Sequence, residues 1–319
     1  MKPEARGVVE MTLAMMISGT VGWFVIMSGQ SPQAVVFWRC LFGALAMLMT
    51  CLALGVFRRS QMGLQQFLLV CLGGVALMLN WVLLFSAYSR SSIAIATVVY
   101  HIQPFMLVGL GVVFFAERLS AAKVAWLSLA FGGLVLIVVA KNSGQAMGPD
   151  YLVGICLALA SAFFYAVAAA ITKRLKALPA HLIVLIQMMV GVVLLAPFVD
   201  ITVDMSTEAW SYLVIIGVVH TGIMSTLLYS AIQKTPTALV GALSYIYPIV
   251  AILVDWIAFG HPLGFLQIIG AAAILLAAAG MNFGWKLARP GQYTNTSPRP
   301  CASDRQPGGL HPMPPRQDG

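Results

Sequence analysis

Long apolar runs, separated by short stretches with charge, proline or glycine, set the pattern of this chain. Ten are read, at roughly 8–27, 35–57, 67–88, 93–115, 122–140, 151–171, 181–199, 210–230, 237–259 and 264–285. A bilayer-crossing helix needs about 20 mostly apolar residues. A barrel strand would be about half that length and would alternate apolar with polar positions, and these runs do not. The pattern predicts an all-α, polytopic membrane protein with ten transmembrane helices and short connecting loops. After residue 286 the pattern stops. The segment 287–319 is rich in Pro, Gly, Ser and Arg, cannot bury a core, and is expected to be a disordered cytoplasmic tail.

Composition agrees with lipid as the main solvent. The chain has 319 residues, 60% hydrophobic and 9% charged, with a mean hydropathy of +0.92. A soluble domain carries about 25% charged residues, so a soluble enzyme, a disordered chain and a nucleic-acid binder are excluded. The net charge of +8 does not call for a nucleic acid, because the basic residues lie in short loops and the tail rather than on one face. With the N-terminus inside, fifteen of the eighteen Lys and Arg residues fall on the cytoplasmic side. Only Arg90 and Lys141 fall in outside loops, and Arg39 lies within a span. That bias fixes the expected orientation, with both termini cytoplasmic. The N-terminal MKPEARG precedes no small-residue cleavage site, so the first span is read as retained. Cys40, Cys51, Cys71 and Cys156 fall in spans and Cys301 in the tail. They form no CxxC, and small apolar packing is expected rather than a metal site or a disulfide.

The chain also repeats itself. Leu84-Phe85-Ser86-Ala87 returns as Leu228-Tyr229-Ser230-Ala231, an offset of 144. Carried forward without a gap, it pairs Arg90 with Lys234, Ile102 with Ile246, Pro104 with Pro248 and Phe115 with Phe259. At offset 148, Arg39 meets Gln187 and Gly43 meets Gly191. Each copy holds five spans, at 1–143 and 144–286. An odd number makes the second copy enter from the opposite face, an inverted repeat with its pseudo-two-fold axis in the membrane plane. Secondary transporters use that arrangement and hold substrate near the midplane between the halves. Pro104 and Pro248 lie mid-span and free the carbonyls of Tyr100 and Ser244. Either proline could be tolerated packing; two at equivalent positions point to hinges.

Ten spans in two halves, a proline in the fourth span of each half, and Phe-Phe-Ala-Glu-Arg-Leu at Phe114–Leu119 resemble the drug/metabolite transporter superfamily, and within it the EamA-type ten-helix exporters. The resemblance covers about 1–286. It departs at Gly260-His261-Pro262-Leu263, where His261 stands in place of the acidic residue of the first half. It implies an inner-membrane carrier, usually an exporter of amino acids or other small metabolites, driven by an ion or substrate gradient.

Ionisable and polar groups inside spans are costly and usually face a cavity. Here they are Arg39, Asn80, Tyr100, His101, Gln103, Gln187, His220, Tyr245 and Tyr247, with Glu10 and Asp255 nearer the ends. The candidate substrate-binding set is Arg39, Asn80, Tyr100, His101, Gln187, His220 and Tyr245, with Trp23, Trp81 and Tyr165 as optional walls. Of the pairs His101/Gln103 and Tyr245/Tyr247, two residues apart on a helix, symmetry favours His101 and Tyr245. Arg39 stays charged and suits a carboxylate or phosphate; snorkelling or pairing with Asp255 is its structural alternative. His101, His220, Glu10 and Asp255 are candidates for ion coupling.

The central positions hold an arginine and two histidines but no carboxylate. This disfavours a cation-drug pump and favours a carboxylate-bearing cargo, such as an amino acid or an amino-acid-derived metallophore. A lipid-linked or nucleotide-sugar carrier is a competing reading, because Arg39 could equally read a phosphate. A non-transporting scaffold or sensor is the competing class, which would depend on the tail. There is no Walker motif and no HExxH, GxSxG or paired-acid constellation, so neither catalysis, a cofactor nor a metal is expected. The expected partners are a small-molecule substrate and the lipid bilayer, with protons and a homodimer left open.

Overall fold

A computed structural model describes residues 2–59, 62–90, 96, 99–141, 150–200, 205–260 and 264–285. The helices within it are α1 Pro3–Ser28, α2 Pro32–Ala53, α3 Leu64–Arg90, α4 Gln103–Phe115, α5 Ala121–Lys141, α6 Tyr151–Arg174 and α7 Ala180–Leu195. They continue with α8 Thr207–Lys234, α9 in two parts, Thr237–Ser244 and Ile246–Phe259, and α10 Phe265–Phe283. The chain is an all-α polytopic membrane protein, and no strand occurs among the described residues. Nine of these helices are long and apolar enough to span a bilayer, and α4 is a shorter apolar helix. Most of the first third of the expected fourth span lies outside the described residues, as do 142–149, His261, Cys301 and the tail.

Local chemistry sets the helix ends. Pro32 starts α2 behind Ser31, whose hydroxyl accepts from the Ala34 amide at 3.3 Å. Ser206 caps α8 in the same way, accepting from Ala209 at 3.1 Å. A Ser N-cap satisfies one of the donors orphaned at a helix start. Gly29 closes α1 with a left-handed φ of 63°.

The repeat is visible in the backbone. The helical turns before α4 break at His101 and Ile102, and α9 breaks at Tyr245, which is 101 + 144. Pro104 and Pro248 follow these breaks. The two elements also end alike, on Phe115 and Phe259. Each is followed by a left-handed cap, Ala116 at φ 51° and Gly260 at φ 69°, again 144 apart. Ala116 is the only non-glycine with positive φ among the described residues, so the repeat's geometry is kept even where a Cβ resists it.

Packing follows the same symmetry. α3 packs on α6 and α1 on α8; α1 packs on α9 and α6 on α4; α2 packs on α8 and α7 on α3. Each pair is the repeat image of the other. The pairs α2–α7, α4–α9 and α5–α10 map onto themselves. Equivalent residues of a two-fold arrangement touch only beside the axis. His101 and Tyr245 do touch: the Tyr245 hydroxyl donates to the His101 carbonyl at 2.7 Å. Glycines allow the closest crossings. A Cβ on Gly133 of α5 would stand 2.6 Å from the Gly270 carbonyl of α10. Outward-facing positions carry large apolar side chains, such as Val113, Phe198 and Ile257, a surface suited to lipid rather than water.

Candidate functional site

The symmetric bundle holds a cavity of about 390 Å³ between the halves. That lies within the roughly 300–1,000 Å³ typical of small-molecule sites. Arg39, Tyr100, His101 and His220 of the expected set line it. So do Trp81 and Tyr165, together with aliphatic side chains such as Val25, Val36 and Leu77.

Arg39 is the only Lys or Arg in this lining among the described residues. Its Nε donates to Thr221 Oγ1 at 3.0 Å, and its Cζ lies 4.4 Å from the centroid of the Trp81 ring, a cation–π distance. No carboxylate pairs with it among the described residues. The Asp255 side chain, its suggested partner, lies outside what is described. Thr221 and His220 belong to a π turn, Val218–Ile223, within α8. Single π turns inside α-helices are frequent at functional sites. His220 Nε2 lies 2.8 Å from Thr20 Oγ1, and Thr20 also bonds the Ile17 carbonyl at 2.8 Å. A hydroxyl carries one proton; with that proton on Ile17, Nε2 is the donor to Thr20. The His101 ring stacks on Tyr247 at 5.9 Å and 15°, and Tyr100 meets Tyr165 edge-on at 6.2 Å.

Three members of the expected set lie elsewhere. Asn80 is fully buried against α6, where its Nδ2 donates to the Ser161 carbonyl at 3.0 Å and to Ser161 Oγ at 2.8 Å. Ser161 Oγ donates back to the Asn80 carbonyl at 2.8 Å. Asn80 thus clips two helices together. Gln187 is also fully buried and accepts from Tyr229, so Tyr229 lines the cavity and Gln187 stands behind it. Tyr245 is turned onto the axis and packed, while Tyr247 lines the cavity together with Gln103. In the second copy the helix break thus reverses the choice that symmetry favoured, while in the first His101 lines the cavity as expected, with Gln103 beside it. Trp23 packs on Phe24 and Tyr212 instead of on the cavity. Thr221 and Tyr229 are the additions; no spacing signal marks either in an apolar run.

Glu10 is not in the cavity either. It joins Lys234 at 2.7 Å through both carboxylate oxygens and Arg6 at 2.9 Å. At the same end of the bundle Glu117 pairs with Lys173 at 2.6 Å. It also accepts from Thr237, from the amide at 3.0 Å and the hydroxyl at 2.7 Å. Lys173 further donates to the Thr235 carbonyl at 2.8 Å. Both clasps bridge the two halves. Burial works to raise the Glu117 pKa, but the Lys173 and Thr237 hydrogen bonds outweigh it and hold the carboxyl below its ordinary 4.5.

Ten apolar helices in an inverted repeat around a part-polar cavity define a multi-pass carrier-type membrane protein. Comparison with known proteins specifies the class further. The chain belongs to the EamA-like transporter family, whose model matches residues 5–139 and 152–283, one copy in each half. It is 30% identical over 285 residues to the uncharacterized transporter YxxF of Bacillus subtilis, covering 88% of this chain and 89% of that one. It is 26% identical over 200 residues to the aromatic amino acid exporter YddG of Ancylobacter novellus, covering 61% of this chain and 68% of that one. A crystal structure with 21% sequence identity shares the fold, with a TM-score of 0.79 over 88% of this chain and 97% of its own.

Proposed function

We propose that this transporter exports a small carboxylate-bearing metabolite, an amino acid or an amino-acid derivative, across the bacterial inner membrane by alternating access, without catalysis. One observation carries the reading: a permanently charged guanidinium, Arg39, lines a cavity between the halves with no acidic partner among the described residues. Desolvated cations need an anion or several carbonyls, and here cargo would supply the anion. The walls of Trp81, Tyr100, Tyr165 and Tyr247 suit a cargo with an apolar or aromatic body. The name of the Ancylobacter novellus relative, an aromatic amino acid exporter, points the same way.

In this proposal residues 1–143 and 144–286 are the two rocking halves, hinged at Pro104 and Pro248. Both termini face the cytoplasm, and the Glu10 and Glu117 clasps shut the cytoplasmic end. The test is untargeted metabolomics of the medium from cells making the wild type, Arg39→Ala or His101→Ala at equal membrane levels. A carboxylate-bearing compound should accumulate outside with the wild type and fall at least about tenfold with Arg39→Ala, the scale of one lost charge-assisted pair. Equal accumulation with the wild type and both variants would overturn the assignment of the site.

A further inference from the structure

The π turn of α8 has a geometric result that no ordinary helical turn would give. Its wider winding places the Thr221 hydroxyl against the carbonyl of Ile216, five residues back, and Oγ1 donates to it at 3.0 Å. A hydroxyl has one proton and lone pairs left over. With the proton committed to Ile216, Oγ1 meets Arg39 only as an acceptor, and takes the Nε proton at 3.0 Å. The close approach is built in. Gly43, one turn beyond Arg39 on α2, leaves room for Thr221; a Cβ there would fall 2.8 Å from Thr221 Cγ2. Trp81 covers the guanidinium plane at 4.4 Å. Two of Arg39's three binding surfaces are therefore occupied. Its terminal Nη atoms make no hydrogen bond among the described residues, and they are not among the occluded unpartnered atoms. Arg39 itself lines the cavity.

We infer that Thr221 is a positioning residue: it holds Arg39 by Nε so that the two Nη groups face the cargo as a fixed two-pronged edge, which receives a carboxylate end-on. The inference rests on the reading of Arg39 given under Proposed function and adds what orients its charge. Two parallel N–H···O bonds match the two oxygens of a carboxylate. Thr221 occupies the Nε side, and Trp81 covers the plane.

The test uses the full chain in lipid nanodiscs and two probes of one size: benzoate and neutral benzamide. The wild type and Thr221→Ser should prefer benzoate over benzamide by about tenfold or more, the worth of one charge-assisted hydrogen bond. In Thr221→Val that ratio should fall several-fold, because the guanidinium is no longer held end-on although its charge remains. A second readout needs no ligand. In protein with ¹⁵N-labelled arginine, assigned by the signal lost in Arg39→Gln, the Arg39 Nε–H should exchange slowly in the wild type and in Thr221→Ser, and rapidly in Thr221→Val. Thr221→Ala serves the same purpose should the valine variant fail to fold. An unchanged ratio and unchanged exchange in a folded valine or alanine variant would overturn the inference. Wild-type protein with no preference for benzoate over benzamide, or Arg39→Gln that keeps it, would instead defeat the reading of Arg39 as the anion site, and the exchange measurement would still decide whether Thr221 holds it.

Discussion

Arg39 and Gln187 occupy equivalent places in the two copies, 148 residues apart, yet they do different work. One lines the cavity as a cation; the other is sealed behind Tyr229. Sequence alone marks both as costly in lipid. It cannot say which polar group meets a neighbour first, because that depends on side chains far away in the chain. Asn80 shows the same limit. Its exchange of hydrogen bonds with Ser161 ties its amide nitrogen to α6, away from the cavity, so Asn80→Ala should lower thermal stability by about 1–2 kcal/mol while leaving cargo affinity unchanged. Thermal unfolding in detergent, alongside binding, measures both. Tyr245 and Tyr247 divide in the same manner. Tyr245→Phe removes a buried bond on the axis and should cost stability, whereas Tyr247→Ala should weaken cargo binding with little change in melting temperature.

Among the elements, apolar run length was enough to place the helices, since lipid leaves few alternatives to a hydrogen-bonded span. The interruptions are less legible. Prolines advertise the breaks before α4 and within α9, but nothing in Val218–Ile223 announces a π turn. Such a turn follows from side chains on α1 and α2 that meet its displaced groups: Thr20 pairs with His220, and Arg39 donates to Thr221. The small-residue crossing of α5 and α10 is a firmer expectation. A Cβ at Gly133 meets a backbone carbonyl at 2.6 Å, and backbone cannot step aside as a side chain can. Gly133→Leu should therefore prevent the pair from closing, seen as loss of monodisperse protein on size-exclusion chromatography, while leucine at Gly109, where nothing stands within 4 Å, should be tolerated.

For the molecule as a whole, the fold was readable from the repeat, and half of the site came with it, because symmetry says where the cavity lies but not what closes it. Glu117 joins the halves at one end, while its counterpart in the second copy is His261, so the sequence does not repeat this acidic group. The pKa of Glu117 is lowered in the folded protein, so its carboxylate stabilises the clasp fully at pH values above its ordinary 4.5. That contribution is lost as pH falls below 4.5 and through the lower folded value. Acidification on that side should thus increase labelling of a cysteine placed at the closed end. Glu117→Gln should label readily at neutral pH and show a weaker acid response. Equal labelling of Glu117→Gln and the wild type at neutral pH would show that the ion pair does not hold the end shut.

The bond from the Tyr245 hydroxyl to the His101 carbonyl joins the copies at the break in each helix. Two leaves hung on one pin cannot swing independently. Any strain entering through one bundle is passed at once to its twin, so a damaging substitution near either break should never stay a private defect of the half that carries it.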